Sequence, residues 1–308
     1  MALVEIGGRV LSLSNLEKVL YPDAGFTKAQ VLDYYVRIAP VALVHLGDRA
    51  LTLRRYPNGV DGVGFFEKRC PAHRPDWVRT AIGPGDNGGP IGYCVLDSVA
   101  ALVWAANLAA LELHAPMARA ADVDHPCMVV FDLDPGPPAA MAACCEVALE
   151  LREVLAAVGL RAWPKTSGSK GLQLYLPLNQ PYTHQNARDF AHAVARLLER
   201  RRPDLVTSVM SRAVRTGKVF IDWSQNSRHK TTIGVYSLRA RAEPTVSTPV
   251  SWDEVAEGAA GSSPLRFRAE DVLERVGSIG DLFAETATLV QQLPLSGPRS
   301  TSPGGDGR

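Results

Sequence analysis

Two aspartates close an apolar run in the segment Val129-Val130-Phe131-Asp132-Leu133-Asp134-Pro135-Gly136. On a strand alternate side chains share a face, so Asp132 and Asp134 point the same way while Phe131 and Leu133 enter a core. Carboxylates about 7 Å apart along a strand repel each other, and a divalent cation between them relieves the repulsion. Pro135-Gly136 then turns the chain and leaves both acids at a sheet edge. A second apolar run, Lys218-Val219-Phe220-Ile221-Asp222, also ends in a carboxylate, followed by Trp223-Ser224-Gln225-Asn226. Three carboxylates on two neighbouring strands suit two-metal phosphoryl chemistry: one ion activates a hydroxyl, the other steadies a leaving pyrophosphate. Taken singly, Asp132 and Asp134 also read as turn acids, and Asp222 as an acid paired with Arg215 or Lys218.

A third segment, Lys165-Thr166-Ser167-Gly168-Ser169-Lys170-Gly171-Leu172-Gln173, brings hydroxyls, ammonium groups and exposed backbone N–H groups to one turn between strands, a cradle for phosphate oxygens. It lacks the Walker order, and a strand rather than a helix follows; a plain hairpin turn is the other reading. Leu53-Arg54-Arg55-Tyr56-Pro57 and Gly64-Phe65-Phe66-Glu67-Lys68 alternate basic and aromatic residues, which suits backbone contact and base stacking. Lys18 and Lys28 flank Tyr21-Pro22-Asp23 and suit a terminal phosphate or simply a solvated face. His114 follows Leu111-Glu112-Leu113 and reads as a ligand contact or a satisfied buried histidine. Cys70-x2-His73, Cys94 and His125-x-Cys127 are too irregular for an ordinary zinc site.

These residues need a scaffold. The 308 residues are 46% hydrophobic and 21% charged with a formal net charge of +1, a composition that supports a core and excludes disorder over most of the chain. Local charge is more telling. From residue 201 to 241 nine basic residues face two acids, a net of +7, and from 243 to 285 nine acids face three arginines, a net of −6. The basic stretch, interleaved with Ser, Thr, Gln and Asn, suits phosphate contacts. The amino terminus lacks a secretory pattern. The longest apolar run, around residues 96–113, is broken by Asp97, Asn107 and Glu112, which excludes an ordinary membrane span. Five cysteines without framework spacing point to a reduced, cytoplasmic compartment.

Pattern predicts strands over 4–6 and 9–13 around Gly7-Gly8, a short helix from Ser14-Asn15 to Leu20, and a longer helix capped by Thr27. Strands follow over 51–55 and 63–68, a loop over 83–90, a strand over 91–96 and a helix over 98–110. From residue 127 the order is strand 127–134, helix 139–158, strands 161–165 and 171–176, helix 186–201, strand 218–222. That order fits a mixed α/β or α+β core. Residues beyond 293 have nothing to bury and read as a disordered tail.

The phrases Asn15-Leu16-Glu17-Lys18-Val19-Leu20-Tyr21-Pro22, Tyr56-Pro57-Asn58-Gly59-Val60, Phe65-Phe66-Glu67-Lys68, Phe131-Asp132-Leu133-Asp134-Pro135, Thr166-Ser167-Gly168-Ser169-Lys170-Gly171 and Asp222-Trp223-Ser224-Gln225-Asn226 occur in one order. In them the chain resembles the polymerase domain of bacterial ligase D, of the archaeo-eukaryotic primase superfamily, and most of all its stand-alone actinobacterial copies. The resemblance implies one primase-polymerase domain over 1–293, with an amino-terminal α/β portion of roughly 1–120, a catalytic core of roughly 121–293 built on an RRM-like sheet, and a tail over 294–308. It implies Asp132, Asp134 and Asp222 as metal ligands for Mn2+ or Mg2+. His114, Ser167, Lys170, Gln173, Gln225, Lys230, Arg239 and Phe66 would face the incoming nucleoside triphosphate. Lys18 and Lys28 would read a 5′-phosphate, and Arg54, Arg55, Phe65 and Arg215 the DNA. The family's nucleotide strand often reads Gly-Leu-His-Leu, and here Gln173 stands in the histidine's place.

The implied activity is template-directed DNA or RNA synthesis at short gaps or broken ends, in the cytoplasm at the nucleoid. Gapped or 5′-phosphorylated DNA, a Ku-type protein and a separate DNA ligase would be partners. Two other readings stand beside it: a non-catalytic DNA-end or gap-binding module, and a phosphatase of the haloacid dehalogenase type using Asp132 as nucleophile.

Overall fold

The computed structural model describes residues 2–85 and 88–294. Two sheets organise it. The central sheet runs Trp163–Thr166, Leu172–Pro177, Met128–Pro135, Val219–Asp222, Val206–Thr207, antiparallel except for the last pair. The second runs Thr232–Ile233, Ala110–Ala115, Thr52–Arg55, Phe65–Glu67, antiparallel throughout.

Alternation along Met128–Pro135 divides the molecule. Val129, Phe131 and Leu133 pack beneath the helices Met141–Ala156 and His184–Arg201, against Cys144, Leu151, Ala191 and Leu198. Met128 and Val130 face the other way, into a second core with Tyr35, Leu113 and Tyr236. Asp132 and Asp134 continue that second face beyond the core. The expected carboxylate ledge is therefore a sheet face that leaves its own hydrophobic cover.

The helix Lys28–Leu46 begins in a capping box: the Gln30 N–H donates to Thr27 Oγ1 and the Thr27 N–H to Gln30 Oε1. Its buried face carries Val31, Leu32, Tyr35, Ile38, Ala39 and Ala42, and the Tyr35 hydroxyl donates to the Leu111 carbonyl at 2.8 Å, tying helix to sheet. Ser98 caps the helix Val99–Asn107.

Three expectations need correction. The short helix over 14–20 is absent. Asn15 sits at φ +53°, a left-handed conformation that no helix continues, and Val19–Tyr21 pairs as a strand with Phe26–Thr27. The expected loop over 83–90 is shorter: residues 83, 84 and 90 belong to a hairpin, Arg79–Pro84 with Pro90–Val95, in register to Pro84 opposite Pro90, and residues 85, 88 and 89 lie in its connection, with 86 and 87 outside the described residues. The cysteines are not all free: Cys70 is disulfide-bonded to Cys94, which removes both as zinc ligands. Cys127, Cys144 and Cys145 are buried thiols.

The acidic stretch, unassigned from pattern, holds the helices Trp252–Ala259 and Ala269–Ile279. Among the described residues no helix is long and apolar enough to cross a membrane. The expected tail over 294–308 lies, apart from residue 294, outside the described residues.

Candidate active site

Register sets out the site in a line. Lys165 pairs with Gln173, Gln173 with Asp132, and Asp132 with Asp222, so four side chains form one row across four adjacent strands. Asp134 lies two residues beyond Asp132 on the same face. The row opens into a cleft of about 430 Å³ whose walls include Asp132, Asp134, Ser167, Lys170, Gln173, His114 and Arg239. Ser169, Gly171, Thr231-Thr232-Ile233 and Arg241 complete it.

The electrostatics of the acids are unfavourable without a cation. Burial and then the Asp134 charge push the Asp132 carboxyl up to about 7, against the Gln173 hydrogen bond, which pulls it down. Burial and then Asp222 raise Asp134 as well, and Arg215 opposes them. The donor set is hard oxygen, the set that Mg2+ and Mn2+ take. Asp132 Oδ1 accepts from Gln173 Nε2 at 3.0 Å, while no hydrogen bond among the described residues engages Asp132 Oδ2 or either oxygen of Asp134. Asp222 is turned to its own strand end: Oδ1 accepts from the Ser224 N–H at 3.0 Å and its hydroxyl at 2.6 Å, and Oδ2 from Gln225 Nε2 at 2.9 Å. Accordingly, no group of three His, Cys, Asp or Glu among the described residues is gathered to hold an ion as it stands. Asp132 and Asp134 fit a divalent ion in charge and donor type; Asp222 is their cross-strand neighbour and is absent from the cleft wall.

The serine–glycine turn is shaped by its own side chain. Ser167 Oγ accepts from the N–H groups of Ser169 and Gly171, and the Ser167 N–H donates to the Gly171 carbonyl at 2.9 Å. Gly168 adopts φ +66°, and at Gly171 a Cβ would stand 2.3 Å from the Leu133 carbonyl oxygen, so the turn presses against the carboxylate strand. Arg239 Nη1 donates to the Ser167 carbonyl and Thr245 Oγ1 to that of Gly168, both at 2.6 Å. Lys170 is exposed at the cleft wall.

Joined to the turn through Arg239 is a buried hub, Glu112, that the sequence pattern alone does not single out. Glu112 is fully buried and accepts from Arg54 Nη1 at 3.2 Å, Arg239 Nε at 3.0 Å and the Ala240 N–H at 3.1 Å, with His114 Nε2 at 3.0 Å. Burial alone would raise its pKa; the His114 hydrogen bond and the Arg239 charge hold it well below the usual carboxylate range. Burial pushes His114 down, opposed by Glu112. The Arg54 guanidinium lies over the Phe66 ring at 5.0 Å, and Phe66 meets His114 edge-on at 5.3 Å. Glu112 thus joins residues assigned to nucleotide with residues assigned to DNA. The signal was present, since Glu112 and His114 share a strand face at i and i+2.

Other expected residues sit apart from the cleft wall. Lys230 lines a neighbouring pocket with Thr231 and Tyr93. Arg55 pairs with Glu67 at 3.0 Å beneath Phe65. Arg215 stacks on Phe220 at 3.6 Å. Lys18 donates to Asn58 Oδ1 at 3.2 Å, and the buried Lys28 to the Ser14 carbonyl at 2.7 Å. Burial and then the Lys18 charge lower the Lys28 pKa, as two neighbouring ammonium groups short of an anion must.

The fold and the similarity to known proteins give a DNA-directed nucleotidyltransferase of the primase-polymerase class. The family profile described as "LigD, primase-polymerase domain" matches residues 27–283, and the chain belongs to that family. It is 44% identical over 276 residues to the multifunctional non-homologous end joining protein LigD of Mycolicibacterium smegmatis, covering 88% of this chain and 35% of that one. It is 30% identical over 287 residues to the bifunctional LigD of Bacillus subtilis, covering 93% and 46%. The chain thus spans less than half the length of these relatives. The polymerase domain of Mycobacterium tuberculosis ligase D, solved in complex with DNA, superposes with a TM-score of 0.84 at 41% identity, covering 91% of this chain and 99% of that one.

Proposed function

We propose that this chain adds nucleotides to primer ends at short gaps and broken ends of DNA, directed by the template, as part of non-homologous end joining. The observation that carries this reading is the shared cleft: Asp132 and Asp134 open onto the same space as Ser167, Lys170, His114 and Arg239. A site of that make-up suits a triphosphate on one side and a metal-dependent attack on the other.

Asp132, Asp134 and Asp222 would hold divalent ions, Mn2+ before Mg2+; bound there, such ions supply a lowered hydroxyl pKa and charge neutralisation on the phosphates. The chain's own groups do the positioning. The Ser167 hydroxyl and the Lys170 ammonium bind the β- and γ-phosphates. His114 and Arg239, fixed by Glu112, orient the sugar and triphosphate, with Gln173, Gln225 and Lys230 nearby. Phe66 stacks beside the nucleotide base, and Phe65, Arg54, Arg55 and Arg215 bear on the DNA. Lys18 and Lys28 form a pocket for the 5′-phosphate across the gap. The partners of this reading are a Ku-type end-binding protein and a separate DNA ligase, at the nucleoid.

Primer extension on 5′-phosphorylated gapped DNA with Mn2+ tests the reading. Wild type is expected to add templated nucleotides and Asp132→Ala to fall to background. No incorporation by wild type, or full activity in Asp132→Ala, contradicts it. Phosphate release from a generic phosphoester would point to the phosphatase instead.

A further inference from the structure

The row across the central sheet ends in a lysine with no carboxylate beside it. Lys165 is 0% exposed, and its ammonium lies 2.6 Å from Gln173 Oε1, 2.6 Å from Ser247 Oγ and 3.0 Å from the Ile233 carbonyl. Hydrogen inventory fixes two of these three directions. A carbonyl only accepts. The Ser247 hydroxyl donates to the Thr166 carbonyl at 2.9 Å, so toward Lys165 it accepts. With Gln173 Oε1 facing it the nitrogen has three acceptors, which the three donors of an ammonium group satisfy, although burial pushes the lysine's pKa well down. The Tyr175 ring lies 5.2 Å from the nitrogen and favours the same charged form.

An amide is nearly symmetric in shape, and which end faces which neighbour is decided by the neighbours. As an ammonium Lys165 has no acceptor to offer, so Gln173 turns its oxygen to the lysine and its NH₂ to Asp132 Oδ1 at 3.0 Å. With the lysine charged and Asp132 ionised, as a bound divalent ion would keep it, a flipped amide would set N–H against N–H on one side and oxygen against carboxylate oxygen on the other. The lysine also grips both halves of the cleft: Gln173 belongs to the central sheet, Ile233 to the second sheet, and Ser247 to the segment that covers the edge strand.

We propose that Lys165 is a positioning residue of the polymerase site: by locking the Gln173 amide it holds the Asp132 carboxylate with Oδ1 engaged and Oδ2 left for the divalent ion. This rests on the reading of Asp132 as a metal ligand. The role is distinct from that of a resident counter-charge. A buried cation near a metal site opposes a second cation, so if charge alone mattered its removal would tighten metal binding; if positioning matters, its removal weakens binding.

The experiment is Mn2+ titration of the whole chain, without nucleotide or DNA, followed by electron paramagnetic resonance, with thermal unfolding recorded in parallel. Asp132→Ala is expected to abolish the tight site. Lys165→Met is expected to weaken it about tenfold or more, the usual effect of losing a group that orients a ligand. Gln173→Met is expected to match it, and Lys165→Met/Gln173→Met to be no worse than either alone, because the lysine acts through the amide. Should Lys165→Met fail to fold, Gln173→Met and Ser247→Ala, which loosens the lysine without removing it, carry the test with a full and a partial loss. Unchanged or tighter Mn2+ binding in folded Lys165→Met overturns the proposal while Asp132→Ala remains without the site; so does unchanged binding in Gln173→Met. Full Mn2+ binding in Asp132→Ala overturns the site reading beneath it.

Discussion

Asp132 is an acid held against its own charge. Burial and then Asp134 push its pKa up to about 7, above the unfolded carboxylate value of about 4. The fold therefore favours the protonated form: that contribution is complete below about pH 4 and is lost as pH rises through about 7. In a metal chelator, Asp132→Asn is expected to be more stable than wild type at pH 8, by on the order of 1–4 kcal/mol, and to lose that advantage toward pH 4. Urea denaturation across that range measures it, and an equal stability difference at both ends contradicts the assignment. Glu112 behaves in the opposite sense. Its pKa is depressed, so its contribution is present above the unfolded value and lost as pH falls. Glu112→Gln leaves Arg54 and Arg239 without their counter-charge and is expected to cost about 3–5 kcal/mol in urea denaturation. Nucleotide KM is expected to rise with it, because Arg239 and His114 lose the group that aims them. Wild-type stability together with wild-type KM would remove Glu112 from the site.

Among the elements, the carboxylate strand and the serine–glycine turn are one unit. The Leu133 carbonyl oxygen stands where a Cβ on Gly171 would come within 2.3 Å, so Gly171→Ala must push the turn away from Met128–Pro135. The expected result is a several-fold rise in nucleotide KM with a stability loss of about 1–3 kcal/mol, read from steady-state kinetics and thermal melting. Unchanged kinetics would mean that the turn does not hold the phosphates. Both pieces of this unit were legible in the sequence, one from strict alternation ending at Asp-x-Asp, the other from a Ser, Gly and Lys composition between strands. The capped helices at Thr27 and Ser98 were legible for the same local reason. The helix expected from Ser14-Asn15 was not formed, because the cap signal does not reveal a left-handed Asn15. Two-residue strands such as Val206–Thr207 and Thr232–Ile233 have no periodicity to read and exist through pairing alone. Lys165 and Gln173 looked like members of a polar turn; only the register of three strands shows them to be buried in a row with Asp132.

For the molecule as a whole, charge is less free than a count along the chain suggests. Of the nine basic residues between 201 and 241, Arg202 pairs with Glu150, Arg228 with Asp124 and Arg239 with Glu112. Apart from Asp204 beside Arg202, the acids that neutralise them come from elsewhere in the chain, which no window on the sequence can reveal. Lys18 and Lys28 lack such carboxylate partners among the described residues. Lys18→Ala and Lys28→Ala are each expected to erase the preference for a 5′-phosphorylated over an unphosphorylated gap, measured by fluorescence anisotropy at two salt concentrations; an unchanged preference refutes the pocket. The amino-terminal portion and catalytic core expected from the resemblance are interleaved in space, since Thr232–Ile233 joins the sheet of Thr52–Arg55 and Ala110–Ala115, and the cleft lies between the two sheets. The direct measurement is anomalous diffraction from crystals grown with Mn2+ and a nucleoside triphosphate. Manganese peaks touching Asp132, Asp134 and Asp222, with the triphosphate against Ser167 and Lys170, are the expected result. Peaks only elsewhere, or Asp222 still bound to Ser224 and Gln225 with the triphosphate outside the cleft, would contradict it.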